Sequence, residues 1–324
     1  MAGIHPLNES WPVATDYRRP ATIRPLSNQF EKSLFISADF SGIPPVSPNR
    51  SHSGGRAGDY AASHQRSWLR GHHAVLETLT AGRWPVIELF ADPQLPPDVL
   101  QRVRVLAAQQ QIPVQLAESR RLEQLCRHSD HQGLLARMGE FPWESLTDLA
   151  ALLSVAGSAQ GVKVTTGSQR TAPLFVLCDR LQDAHNFGAI LRCCDAVHVD
   201  GIVTGEREQV SVTPHVARAS SGAVNHLRLF RGSSTTEALR LFRAAGYQVL
   251  AASEKASTQL WQASLQGPQV LVIGSEAHGI AQELLELCHL RIAIPMLGRV
   301  SSLNAAVAAG ILLYECRRQQ ALAP

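Results

Sequence analysis

Three short polar clusters stand out in residues 173–324, because each follows an apolar run and offers groups able to bind an anion or move a proton. The first is Asp179–Arg192, DRLQDAHNFGAILR. Asn186 and Gly188 open a helical pattern there, and Arg192 lies further along it. Glycine permits close backbone approach, and a helix start favours a negative group such as phosphate. The plainer alternative makes Asn186 a helix cap and Arg192 a surface cation. The second cluster is Gly274–Gly279, GSEAHG, directly after the run VLVI. Glu276 at the end of a buried strand needs a polar partner, because an unpaired buried carboxylate is costly; its plainer role is to cap the next helix. This cluster lacks the Lys and Ser/Thr of a P-loop and the serine of a nucleophile elbow. The third is Ser301-Ser302-Leu303-Asn304, inside Ile294–Glu315, where a strand end turns through Pro295 and Gly298 into a helix of small and apolar residues.

The elements that must carry these clusters follow from periodicity. Strands are expected at Leu174–Cys178, Gly201–Thr204, Gln248–Ala252, Gln269–Ile273 and Arg291–Ile294. Helices are expected at Gly188–Ala196, Pro214–Ala223, Thr235–Ala245, Ala281–Cys288 and Leu303–Arg318. Short apolar strands alternating with helices predict a parallel sheet covered on both faces. Ligands bind such sheets at the carboxyl ends of the strands, where all three clusters fall. The last helix is apolar on nearly every side, which predicts burial on more than one face, and its small residues admit another backbone or a second subunit.

Upstream, residues 67–140 alternate between strand and helix patterns: a helix from Gly71–Leu79, a strand at Pro85–Phe90, a helix at Pro96–Gln110, a strand at Pro113–Leu116, a helix at Ser119–Cys126 and a strand at Gly133–Arg137. This predicts a small α/β domain. His72, His73, His128 and His131 lie in or beside it, without acidic or cysteine partners at ligand spacing, so no metal is expected. Residues 141–172 lose the pattern and read as a linker. Residues 1–66, rich in Pro, Ser, Asn, Gly and Arg, read as a disordered extension.

Composition sets outer limits. The chain has 324 residues, 45% hydrophobic, with a formal net charge of +3. That length suits about two domains, and the near-neutral charge says little about partners. Residues 1–70 hold eight Lys/Arg against five Asp/Glu, a mildly basic stretch. No run reads as a membrane span, and no secretory signal pattern opens the chain, so a cytoplasmic location is expected. Six scattered cysteines with no CxxC pair read as buried thiols.

The ordered set of N-x-G-x3-R at Asn186–Arg192, G-S-E-x2-G at Gly274–Gly279 and I-P-M-x-G…S-L-N at Ile294–Asn304 resembles the SpoU (TrmH-like) family of RNA ribose 2′-O-methyltransferases. Ser220–Ala223, SSGA, is similar to that family's segment between its first two motifs. RGHHAV at Arg70–Val75 and HQG at His131–Gly133 resemble the L30e-like substrate-binding domain that precedes the catalytic domain in many members. The resemblance implies a SPOUT fold, an α/β parallel-sheet domain with a deep C-terminal trefoil knot, of a kind sequence reasoning alone does not suggest. It implies a homodimer, S-adenosyl-L-methionine as cofactor, and structured RNA (tRNA or rRNA) as partner. Backbone at Gly274, Ile294 and Leu303 would hold the cofactor. Asn186, Arg192, Glu276, Ser302 and Asn304 match the catalytic positions. Arg192 would act as base or, being protonated at any ordinary pH, as an electrostatic stabiliser of the acceptor. The chain departs from the family at Ala184, where proline is common, at Ser301, where an acid is common, and at Ala306 in place of serine. Those departures hold open a rival reading, an RNA-binding relative with the same fold and little or no turnover.

Overall fold

The computed structural model describes residues 68–158, 172–322 and their contacts. The expected disordered extension, and most of the second half of the expected linker, lie outside the described residues.

Residues 68–138 form a four-stranded sheet in the order β1-β4-β2-β3. Its strands are β1 (Trp68–Arg70), β2 (Val86–Ala91), β3 (Val114–Leu116) and β4 (Leu134–Met138). Helices α1 (His72–Ala81), α2 (Pro97–Gln109) and α3 (Ser119–Cys126) connect them. β2 pairs parallel with β3, whereas β4 runs antiparallel to both β1 and β2. All six elements expected here match their expected bounds within about two residues. β1 escapes sequence reading because three residues carry no measurable period.

The larger sheet has seven strands, all parallel, in the order β7-β6-β5-β10-β8-β11-β9. They are β5 (Leu174–Asp179), β6 (Gly201–Gly205), β7 (Leu229–Gly232), β8 (Gln248–Ala252), β9 (Thr258–Gln259), β10 (Gln269–Gly274) and β11 (Leu290–Ala293). Alternate side chains of each strand enter two cores. Leu174, Val176 and Cys178 of β5 join Ile202, Leu250 and Leu271 on one face. Phe175 and Leu177 join Val203, Val249 and Val270 on the other. Burial on both faces is why these strands read as continuous apolar runs. Helices α5 (Ala184–Ala196), α6 (Pro214–Ala219) and α9 (Ala305–Ala321) cover the first face. Helices α4 (Leu146–Ser158), α7 (Thr235–Ala244) and α8 (Gln282–Leu285) cover the second.

Several boundaries differ from expectation for local reasons. The segment expected as linker carries α4, whose Leu149 and Leu153 are buried in the second core. Ser145 and Asp148 cap it reciprocally, with Asp148 accepting from the Ser145 amide at 2.8 Å. The helix expected over Pro214–Ala223 stops at Ala219, because Ser221 and Gly222 turn left-handed at φ 53° and 87°. A Cβ at Gly222 would also lie 2.7 Å from Glu77 Cγ of α1. β7 and β9 were not expected; both are short, and β7 (LFRG) mixes a charge into its pattern. The final helix is not buried all round: Val307 and Tyr314, one face apart by seven residues, are 51% and 58% exposed. A parallel seven-stranded sheet leaves only one side of that helix against the core.

The small sheet and the large one share a continuous buried core. Polar contacts tie the seam. Asn225 Nδ2 donates to Thr78 Oγ1 at 3.1 Å, His226 meets Glu77 at 2.7 Å, and Arg83 and Arg228 both pair with Glu144.

Candidate active site

The first cluster takes shape because Asp183, not Asn186, caps α5: its carboxylate accepts from the Asn186 amide at 2.7 Å. The Asn186 side chain is thereby freed for other partners. Gly188 lets α6 close on the same helix, since a Cβ there would sit 2.4 Å from Ala219 Cβ.

The second cluster leaves β10 at Gly274. A Cβ at that position would lie 2.2 Å from the Gly279 carbonyl carbon, so only glycine fits. Ser275 holds the turn: its carbonyl accepts from Gly279 N at 2.8 Å and its hydroxyl from His278 N at 3.1 Å. Buried Asp179, at the end of β5, accepts from Ala281 N at 2.8 Å and pins the turn's exit. The tip of that turn carries Glu276.

In the third cluster Asn304 caps α9, its Oδ1 accepting from Ala306 N at 2.9 Å and Val307 N at 3.3 Å. Its amide nitrogen then donates to Asn186 Oδ1 at 2.8 Å, and Asn186 Nδ2 donates to Glu276 Oε1 at 2.5 Å. The three clusters are thus joined in one hydrogen-bonded chain, Asn304–Asn186–Glu276. The plainer role foreseen for Glu276, capping the next helix, is not what it does: the amide at that helix's start bonds to Asp179. Asn186 is in the middle, with its acceptor and its donor each committed.

Beside this chain opens a cleft of about 620 Å³ at the carboxyl ends of β8, β10 and β11. Its floor is apolar, with Ile273, Ile292 and Leu312 almost fully buried. Gly274, Ile294 and Leu303 all line it, as do Glu276, Ser302 and Asn304. Arg192 does not join the group. It lies six residues after Asn186, which turns it about 240° around α5 and about 9 Å along it. It is exposed, with no hydrogen bond or ion pair among the described residues. Sequence reasoning missed Ser253, Glu254 and Lys255, which border the cleft from the end of β8; the position after a strand end was the available signal. Asp179 and Ser275 lie inside the expected clusters without an expected role; their part is to hold the Glu276 turn. Among the described residues no three His, Cys, Asp or Glu side chains converge as a metal site. His131 is buried, its Nδ1 accepting from Gly133 N at 3.0 Å. No described helix is long and apolar enough to cross a membrane.

A doubly covered parallel sheet with one polar-rimmed cleft at its strand ends defines an α/β protein built to bind a ligand at that edge. The family relationship is specific. Residues 173–314 match the SpoU rRNA Methylase family, and residues 68–142 match the family RNA 2′-O ribose methyltransferase substrate binding. A Bacillus subtilis (strain 168) protein named for the TrmH family of tRNA/rRNA methyltransferases, YacO, is 33% identical over 258 residues, spanning 80% of this chain and 98% of that protein. Among solved structures, the AdoMet-bound rRNA methyltransferase from Sinorhizobium meliloti is 25% identical with a TM-score of 0.65, covering 81% of this chain and 90% of that one. The SpoU methyltransferase AviRb from Streptomyces viridochromogenes, in complex with AdoMet, is 25% identical with a TM-score of 0.63, covering 83% and 96%. This chain belongs to the SpoU (TrmH-like) family of RNA methyltransferases, and its α/β fold with an all-parallel seven-stranded sheet is like that of solved SpoU methyltransferases.

Proposed function

We propose that the protein transfers a methyl group from S-adenosyl-L-methionine to a ribose 2′-OH of tRNA or rRNA. The observation that carries this reading is the Asn304–Asn186–Glu276 chain at the mouth of the cleft. The residues fit the cofactor. An apolar floor accepts an adenine, Gly274 brings backbone to the wall without a side chain, and Ile294 lines it. When bound there, S-adenosyl-L-methionine supplies an electrophilic methyl on a sulfonium. An acceptor oxygen would attack that methyl in line as its C–S bond breaks and the neutral thioether leaves, so positioning would supply much of the acceleration.

Asn186 holds Glu276 and Asn304 in register. The second Glu276 oxygen has no partner among the described residues and is available to accept from a ribose hydroxyl. Asn304 couples that polar chain to the loop whose Ser302 and Leu303 border the cleft. Arg192, on another face of α5, contributes through a homodimer in which it reaches the partner's acceptor site, orienting a phosphate or stabilising the developing alkoxide. The exposed Val307 and Tyr314 face of α9 is the apolar surface such a dimer would cover. The chain from Ile294 onward would close the family's trefoil knot, with α9 lying against α5. Residues 67–140 would present structured RNA to the catalytic domain.

The test is transfer of tritiated methyl from the cofactor to total RNA of a strain lacking the protein, comparing wild type with Asn186→Ala and Arg192→Ala. Label in RNA with wild type alone, mapped to a ribose, supports the reading. Cofactor binding by calorimetry without labelling of tRNA or rRNA would overturn it in favour of an RNA-binding relative.

A further inference from the structure

One cluster at the seam of the two domains has no part in the site above. Asp130, half exposed on the loop before β4, takes one guanidinium on each oxygen. Arg70 Nε of β1 donates to Oδ1 at 2.5 Å, and Arg218 Nη2 of α6 donates to Oδ2 at 2.8 Å. Two arginines from different domains share one carboxylate, so the cluster carries an excess positive charge. Each guanidinium has five donors, and the remaining ones find no partner among the described residues. The loop is pinned on the far side of Asp130. His131 is buried against Ser119 and Gly133, and the Gln132 side chain accepts from His72 N at 3.2 Å. The Asp130 side chain itself remains at the surface.

Arg218 sits on the helix that packs against α5, the helix that carries Asn186. Ala219, the neighbour of Arg218, packs on Gly188, two residues from Asn186. An RNA strand entering the acceptor site along α5 therefore passes Arg218. Paired guanidiniums spaced to hold both oxygens of a carboxylate are also arranged to hold two oxygens of a phosphodiester.

We infer that Arg70 and Arg218 form a phosphate clamp for the RNA backbone across the domain seam, and that Asp130 occupies it in the free protein until an RNA phosphate displaces it. The inference rests on the reading of the chain as an enzyme that takes RNA and adds where that RNA is gripped. The clamp carries no base information; it fixes the strand's register on the protein.

The test is filter binding of bulk tRNA and of deproteinised rRNA to the full-length protein between about 50 and 200 mM salt. The double variant Arg70→Gln/Arg218→Gln should bind about tenfold more weakly, with the slope of log K against log salt reduced by about 1. Asp130→Asn, nearly isosteric, should bind roughly threefold more tightly because the competing charge is gone. Cofactor affinity by calorimetry should be unchanged in both. An unchanged slope in the double variant overturns the clamp. So does Asp130→Asn binding no tighter than wild type, which is the result expected of a brace between domains and decides the matter if the double variant fails to fold. A clamp signature without methyl transfer would sink the catalytic reading and leave the clamp standing; methyl transfer with an unchanged slope would do the reverse.

Discussion

Asn186 illustrates how much a single side chain can be asked to do once a neighbour relieves it of capping. Asp183 takes the helix start, and the Asn186 amide group spans from Asn304 to Glu276. Replacing it with alanine leaves Glu276 without its donor and Asn304 without its acceptor. Single-turnover methyl transfer should fall by about 10²- to 10³-fold, with cofactor affinity, measured by calorimetry, changing little. Gly274 is a steric counterpart. Gly274→Ala must push the Ser275–Gly279 turn off β10, since the new methyl would meet backbone at 2.2 Å. Overpacking of that kind costs about 1–3 kcal/mol. The expected result is a lower thermal midpoint and loss of cofactor binding together, in contrast to Asn186→Ala, where stability should hold.

At the scale of elements, Arg317 adds polar ties to the apolar packing that holds α9. Its guanidinium donates to the Ala172 and Val197 carbonyls at 2.7 and 2.9 Å and to the His198 carbonyl, and it pairs with Asp200 at 3.6 Å. One side chain thus binds the last helix to the beginning of the catalytic domain and to the turn after α5. Burial pushes the Asp200 carboxyl above its ordinary value, against the pull of the Leu174 amide and Arg317. Because the folded state then holds the proton more tightly than the unfolded one, this group's contribution to stability falls as pH rises through that window. Arg317→Ala removes the counter-charge and raises the Asp200 pKa further. The variant should lose about 2–4 kcal/mol at neutral pH, and urea titrations at lower pH should show a smaller loss as Asp200 takes up its proton. Asp130 has the opposite sign. Desolvation acts upward on it, but the hydrogen bonds from Arg70 and Arg218 prevail and hold it below its ordinary 3.8. The stability contributed by its pairing with the two arginines is present above the unfolded value and disappears as pH falls through the folded pKa.

For the whole molecule, the unanswered face of α9 is the telling feature. Val307 and Tyr314 are exposed on one face of α9, while Gly310 lies against Cys193 of α5. Where the chain pairs through this face, as proposed above, Val307→Arg/Tyr314→Arg should leave it monomeric by light scattering. It should also abolish methyl transfer if Arg192 acts on the partner's site, while single-chain contacts such as Asn186–Glu276 stay intact. A variant that remains dimeric would remove α9 from the interface. Mixing inactive Asn186→Ala and Arg192→Ala protomers tests the sharing directly, since recovered activity requires the two sites to be completed in trans.

Much of this organisation is legible in the sequence for a physical reason. Strands buried on both faces must be apolar throughout, so β5, β8 and β10 announce themselves, and polar clusters placed after them must fall at one edge of the sheet. The candidate residues Asn186, Glu276, Asn304 and the glycine at 274 follow from that edge and from the family resemblance. Pairings between distant positions are not written in any local pattern. Nothing near Asn186 signals that Glu276, ninety residues on, and Asn304, 118 residues on, will reach the same amide. Helix α4, whose Leu149 and Leu153 are buried against the far face of the sheet, is apolar but runs straight into the small, polar stretch 154–171, which masks it. The open stripe on α9 looks in sequence like its buried side, since both are small and apolar. Local periodicity determined which elements form and which ends they expose; only the tertiary structure decided which side chains meet, because that depends on crossovers between strands distant in sequence.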